Sequence, residues 1–203
     1  MLSVSRSAIE RLNTRLAGYA PTLGLVLTVL AILVMVSAAD WRLSIAPWLL
    51  GTAILCLSVC CVGLLKVHLP DPRRSVLIGI SLTVLSLLGL ASFPLAVGVG
   101  GVLGIEEDSA GVLALLPLIA SGFALVAIAP GLATTAFGVS ASGLVPRWGV
   151  WALWMEAPLL PLTVIAGGFA EPALVVGFIL IPLGWVVIGA SLLRTKPGVE
   201  KRS

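Results

Sequence analysis

SVLIGISLTVLSLLGLASFPLAV, residues Ser75–Val97, decides what kind of protein this is. No charged residue interrupts the stretch. Wound as an α-helix at 1.5 Å per residue, it reaches about 35 Å, enough to cross the ~30 Å hydrocarbon layer of a bilayer. Arg73 and Arg74 stand immediately before it, and the acidic run Glu106-Glu107-Asp108 follows after a glycine-rich connection. The segment reads as a membrane span, basic at one end and acidic beyond the other.

Working outward, the same pattern recurs on both sides. Thr22–Ala39 and Pro47–Leu65 precede it, and Val112–Pro130, Trp148–Gly168 and Pro172–Leu193 follow. The 203 residues are 59% hydrophobic and only 10% charged. A water-soluble domain carries roughly 25% charged residues, so the charges here are too few to coat a wet surface. The expected fold is an all-α, polytopic transmembrane bundle of six spans. Residues 22–193 form the membrane domain, flanked by a basic N-terminal segment, 1–21, and a basic tail, 194–203.

The loop charges test that count. With both termini in the cytoplasm, the inner segments hold Arg6, Arg11, Arg15, Lys66, Arg73, Arg74, Arg147, Arg194, Lys196, Lys201 and Arg202, and Arg42 alone falls outside. Asp40, Glu106, Glu107, Asp108 and Glu171 gather on the outer side. This one-sided distribution is the positive-inside rule. Adding or losing a span would place Arg147 or the basic tail on the wrong side. Trp41, Trp48, Trp148 and Trp151 sit at expected interfaces, where amphipathic rings prefer the headgroup level. The expected location is a cell membrane of the prokaryotic inner-membrane kind.

Two stretches admit more than one reading. Ile9, Leu12, Leu16 and Tyr19 recur at helical spacing with Arg11 and Arg15 between them. They describe either a short helix on the inner membrane surface or a basic leader that only sets orientation. Ser37-Ala38-Ala39 resembles a cleavage site, but Thr22–Ala39 exceeds the 7–15 apolar residues of a signal peptide, and the stretch is read as an uncleaved span. Gly131–Pro146, apolar but rich in Gly, Ser, Thr and Ala, is a loop, a helix extension or a re-entrant segment.

Glu156 is the residue that draws chemical interest. It lies about eight residues, or ~12 Å, past Trp148, where an ionisable group costs roughly 2.5–3.5 kcal/mol on insertion scales. Gly149, Ala152, Glu156, Thr163 and Gly167 share one helical stripe, so the acid should face the bundle interior. Lacking a mid-span cation elsewhere, it should meet hydroxyls such as Thr83 and Ser86, remain protonated, or reach water. It is either a proton or cation site, with Thr163, Thr83 and Ser86 around it, or a neutral acid bonded between helices. Pro158 and Pro161 each remove a backbone donor and should kink this helix. Freed carbonyls beside a carboxylate resemble the ion sites of broken transporter helices. Pro94-Leu95 and Pro182-Leu183 hint at inverted three-span halves, on only a few residues.

Other features are less eventful. Cys56, Cys60 and Cys61 lie within one span and read as packing residues, not metal or haem ligands. Lys66, Arg73 and Arg74 could hold anionic lipid headgroups, although topology alone accounts for them. No Walker loop, dinucleotide fingerprint, Gly-x-Ser-x-Gly or His-Glu-x-x-His occurs. No cofactor is implied, and a net charge of +3 is no evidence for nucleic acid. The expectation is a non-enzymatic structural or accessory bundle, with the bilayer and a second copy or another membrane protein as partners. A small proton- or cation-coupled transporter using Glu156 comes second. A lipid-modifying enzyme comes third.

Overall fold

The computed structural model describes the backbone of residues 2–37, 42–68, 74–103, 107–167 and 171–194. Side chains are described for 15–37, 45–66, 74–103, 115–163 and 175–194. The described chain is all-helical: α1 Leu2–Val36, α2 Arg42–His68, α3 Arg74–Leu103, α4 Glu107–Ser142, α5 Arg147–Gly167 and α6 Glu171–Leu193. Apolar solvent explains this uniformity, because in hydrocarbon each backbone N–H and C=O must be satisfied within the chain, and a helix does so along its own length. Five helices are long and apolar enough, over their described residues, to cross a membrane: α1, α2, α3, α4 and α6.

α1 is a single helix that continues through Pro21 into the first apolar run. Of the stripe expected on the membrane surface, Leu16 and Tyr19 are exposed, while Ala17 between them is buried and Gly18 meets Leu193 of α6; the side chains of Ile9 and Leu12 lie outside the described residues. Gly131–Pro146 resolves in favour of a helix extension. α4 continues to Ser142, and only residues 143–146 connect it to α5. Gly143 stops the helix by adopting φ +67°, the left-handed conformation that glycine takes without steric penalty. The Leu144 amide donates to Ser142 Oγ at 3.3 Å, and the Gly149 amide donates to the Pro146 carbonyl at 2.9 Å, so the turn is pinned at both ends.

The helices form a closed ring. Each packs against its neighbours in sequence, α3 and α4 most extensively, and α6 returns to pack against α1. α2 also touches α6 across the ring, whereas α3 and α5 make no close approach among the described residues. Small residues bring the backbones together, as membrane helices require when water supplies no driving force between them. A Cβ at Gly79 in α3 would lie 2.5 Å from the Thr135 amide nitrogen in α4, and one at Gly131 in α4 would lie 2.9 Å from Thr83 Oγ1 in α3. Ser121 of α4 donates across the same interface to the Gly89 carbonyl of α3 at 2.8 Å.

Candidate functional site: a carboxyl on a glycine seam

Glu156 lies on the inward face of α5, 2% exposed. Its position follows from a repeat shared by α5 and α6. Gly149, Glu156 and Thr163 stand seven residues apart in α5, and Gly177, Gly184 and Ser191 stand seven apart in α6. The helices are antiparallel and meet rung by rung: Gly149 against Ser191, Glu156 against Gly184, and Thr163 against Gly177. Every rung sets one glycine against one polar side chain. A Cβ at Gly184 would overlap Glu156 Oε1 and lie 2.7 Å from its Cδ, while a Cβ at Gly149 would lie 2.5 Å from Ser191 Oγ. A repeat of seven keeps one face of each helix turned to the other, as in antiparallel bundles crossing at a shallow angle.

The outer two rungs are self-contained. Thr163 Oγ1 donates to the Leu159 carbonyl at 2.8 Å, and Ser191 Oγ donates to the Ile188 carbonyl at 2.6 Å. The middle rung differs. Glu156 Oε2 is buried and has no hydrogen-bond partner. An unpaired buried polar group costs roughly 1–3 kcal/mol, so this is the most expensive polar atom in the described seam. The sequence stripe pointed to Glu156 and Thr163 on one face, and the structure brings both to α6.

Thr83 and Ser86 are not partners of the acid. Thr83 Oγ1 donates to the Gly79 carbonyl and Ser86 Oγ to the Leu82 carbonyl, each at 2.8 Å. Both side chains are buried, but on α3, which does not approach α5. The expectation that they share a site with Glu156 is therefore corrected: the ring order places α4 between α3 and α5. The glycines of α6 were overlooked, although their spacing of seven matches that of α5.

Pro158 and Pro161 lie within a helix that continues to Gly167. Pro158 is exposed and Pro161 half-buried. Their rings leave the carbonyls of Trp154 and Ala157 without the usual amide donors. Lys66 and Arg74 are exposed at one end of the ring, where α2 finishes and α3 begins; Arg73 lies outside the described residues. Arg147 and Arg194 are exposed at that same end, and the Arg194 guanidinium stands 5.9 Å from the Trp148 ring centroid, a cation–π distance. Cys60 and Cys61 are buried free thiols in the apolar core.

Above Glu156, towards the end where α1, α3 and α5 finish, the ring opens into a chamber of about 410 Å³. All six helices line it. Leu160 and Thr163, one and two turns beyond Glu156, belong to its wall, and Glu156 does not. Its lining is almost wholly apolar.

Comparison with protein-family models, curated proteins and solved structures found no match.

Proposed function

We propose that the chain is a six-span protein of a cell membrane, of the prokaryotic inner-membrane kind, with both termini in the cytoplasm. We further propose that it acts as a non-enzymatic accessory bundle, associating with itself or with another membrane protein. The observation that carries this reading is the use made of the interior polar side chains. Thr83, Ser121, Thr135, Thr163 and Ser191 donate to backbone carbonyls at or beside glycine-mediated helix contacts. They serve helix packing. The basic end, with Lys66, Arg74, Arg147 and Arg194, is the cytoplasmic one under the positive-inside rule.

The broad apolar flank of α4 and α5 offers a surface for association. Leu116, Phe123, Val126 and Phe137 of α4 and Trp151 and Met155 of α5 are each at least 64% exposed. Extraction in gentle detergents, with mass measured by light scattering, should give an oligomer or a complex. A lone monomer in several such detergents refutes the accessory reading.

The unpaired Glu156 Oε2 supports a second reading, transport coupled to a proton or cation. It requires water to reach the carboxyl. Difference infrared spectroscopy on reconstituted protein, with Glu156→Gln as control, distinguishes the two. A carboxyl band that titrates reversibly favours transport, and a silent one favours packing.

A further inference from the structure

The chamber has the dimensions of one lipid tail. On α2 its lining runs from Pro47 to Leu57, and on α3 from Leu87 to Val97. Ten helical steps on either wall give a depth of about 15 Å, half the ~30 Å hydrocarbon layer and so the thickness of one leaflet. Its volume of about 410 Å³ falls in the range of ligand pockets. At ~30 Å³ per water-sized group it admits about fourteen methylenes.

The chemistry of the wall matches. Thr28, Ser121 and Thr163 bring hydroxyls to the lining, but each proton already goes to a backbone carbonyl, of Gly24, Gly89 and Leu159 respectively. No hydroxyl donor of these three is left for a polar guest. An almost wholly apolar lining favours apolar guests. Pro47, Pro94 and Pro182 all line it. Each removes a backbone hydrogen bond from its helix at the level of the void, and Leu57, Leu87 and Ile181, which belong to the buried core, close its floor.

We infer that this chamber binds one acyl chain of a membrane phospholipid, drawn from the leaflet at the end where α1, α3 and α5 finish, with the headgroup outside the rim near Met35 and Val97. A lipid tail is the apolar chain present at that depth in any bilayer. The inference rests on the membrane-spanning reading and is independent of the accessory role. Its test leaves association and topology untouched, so the two can fail separately.

The protein is reconstituted into nanodiscs of dioleoylphosphatidylcholine, extracted into mild detergent, washed and examined by native mass spectrometry. About one phosphatidylcholine per chain should remain. Leu90→Trp, which fills the chamber, should reduce retention at least fivefold. Leu88→Trp, on the exposed face of the same helix, should leave it unchanged. If Leu90→Trp does not fold, Phe93→Ala, which widens the wall, should shift the retained lipid towards longer chains in mixed-chain nanodiscs. No retained lipid in the unaltered protein, equal retention in both tryptophan variants, no shift with Phe93→Ala, or a retained apolar compound other than phospholipid each overturns the inference.

Discussion

Gly184→Ala tests the seam at its tightest rung. A methyl group there overlaps Glu156 Oε1 and comes within 2.7 Å of Cδ and 3.2 Å of Cγ. The carboxyl is the flexible end of its side chain, but it is 2% exposed and has little room to retreat. Overpacking of a filled interior costs about 1–3 kcal/mol. Replacing a mid-helix glycine by alanine returns roughly 0.5–1 kcal/mol, leaving a net loss of about 0–2.5 kcal/mol. Reversible unfolding in mixed micelles, followed by tryptophan fluorescence, would measure it. The decisive comparison is a double-mutant cycle with Glu156→Ala, which removes the obstructing atoms. In that background Gly184→Ala should be neutral or stabilising, with a coupling of about 1–3 kcal/mol. Gly122→Ala, where an added Cβ meets nothing within 4 Å, serves as the open-space control. If Gly184→Ala costs the same with and without the glutamate side chain, the rung-by-rung packing argument is wrong.

Gly79→Ala should destabilise more than Gly184→Ala in the same unfolding assay, because the obstacle at 2.5 Å is the Thr135 backbone nitrogen, which cannot rotate away. Glu156→Gln should alter stability by less than about 1 kcal/mol, since Oε2 has no partner to lose and an uncharged amide of the same shape avoids the cost of a buried charge; a loss above about 2 kcal/mol would show that the acid makes an interaction the amide cannot replace. Thr83→Val should change stability by less than about 1 kcal/mol, because its hydroxyl donates within its own helix to the Gly79 carbonyl, and should not affect a Glu156 infrared band. Single cysteines at Lys196 and Ser109, in a cysteine-free background, should react with impermeant maleimide from opposite sides of the membrane; labelling from one side only refutes the six-span topology.

The apolar runs were legible because a bilayer demands length and continuity, and both are visible in a string such as Ser75–Val97. The inward face of α5 was legible for a similar reason, since Glu156 and Thr163 share a stripe at helical spacing. Gly131–Pro146 is ambiguous in sequence because Gly, Ser, Thr and Ala signal turns in water and close helix contacts in lipid. Both contexts draw on the same residues. The sequence offers the hydroxyls of α3 as readily as any other neighbour for Glu156, because it marks faces but not which helix stands beside which. The true neighbour, Gly184, has no side chain to advertise a role, and only its spacing from Gly177 and Ser191 carries the signal. The chamber was illegible in principle, being space left between helices.

The seam between α5 and α6 also limits how this protein can diverge. Each rung holds a fixed volume shared by two positions, one empty and one filled. At 156 and 184, or 163 and 177, a larger residue on one helix is tolerable only if its opposite number shrinks. What each rung conserves is the summed size of its two positions, so the glycine can change sides or give way to two small residues. Related chains should drift at these sites in opposed pairs, and an exchange placing glycine at 156 and a polar residue at 184 would keep the spacing of the two helices while moving the acid's position from α5 to α6.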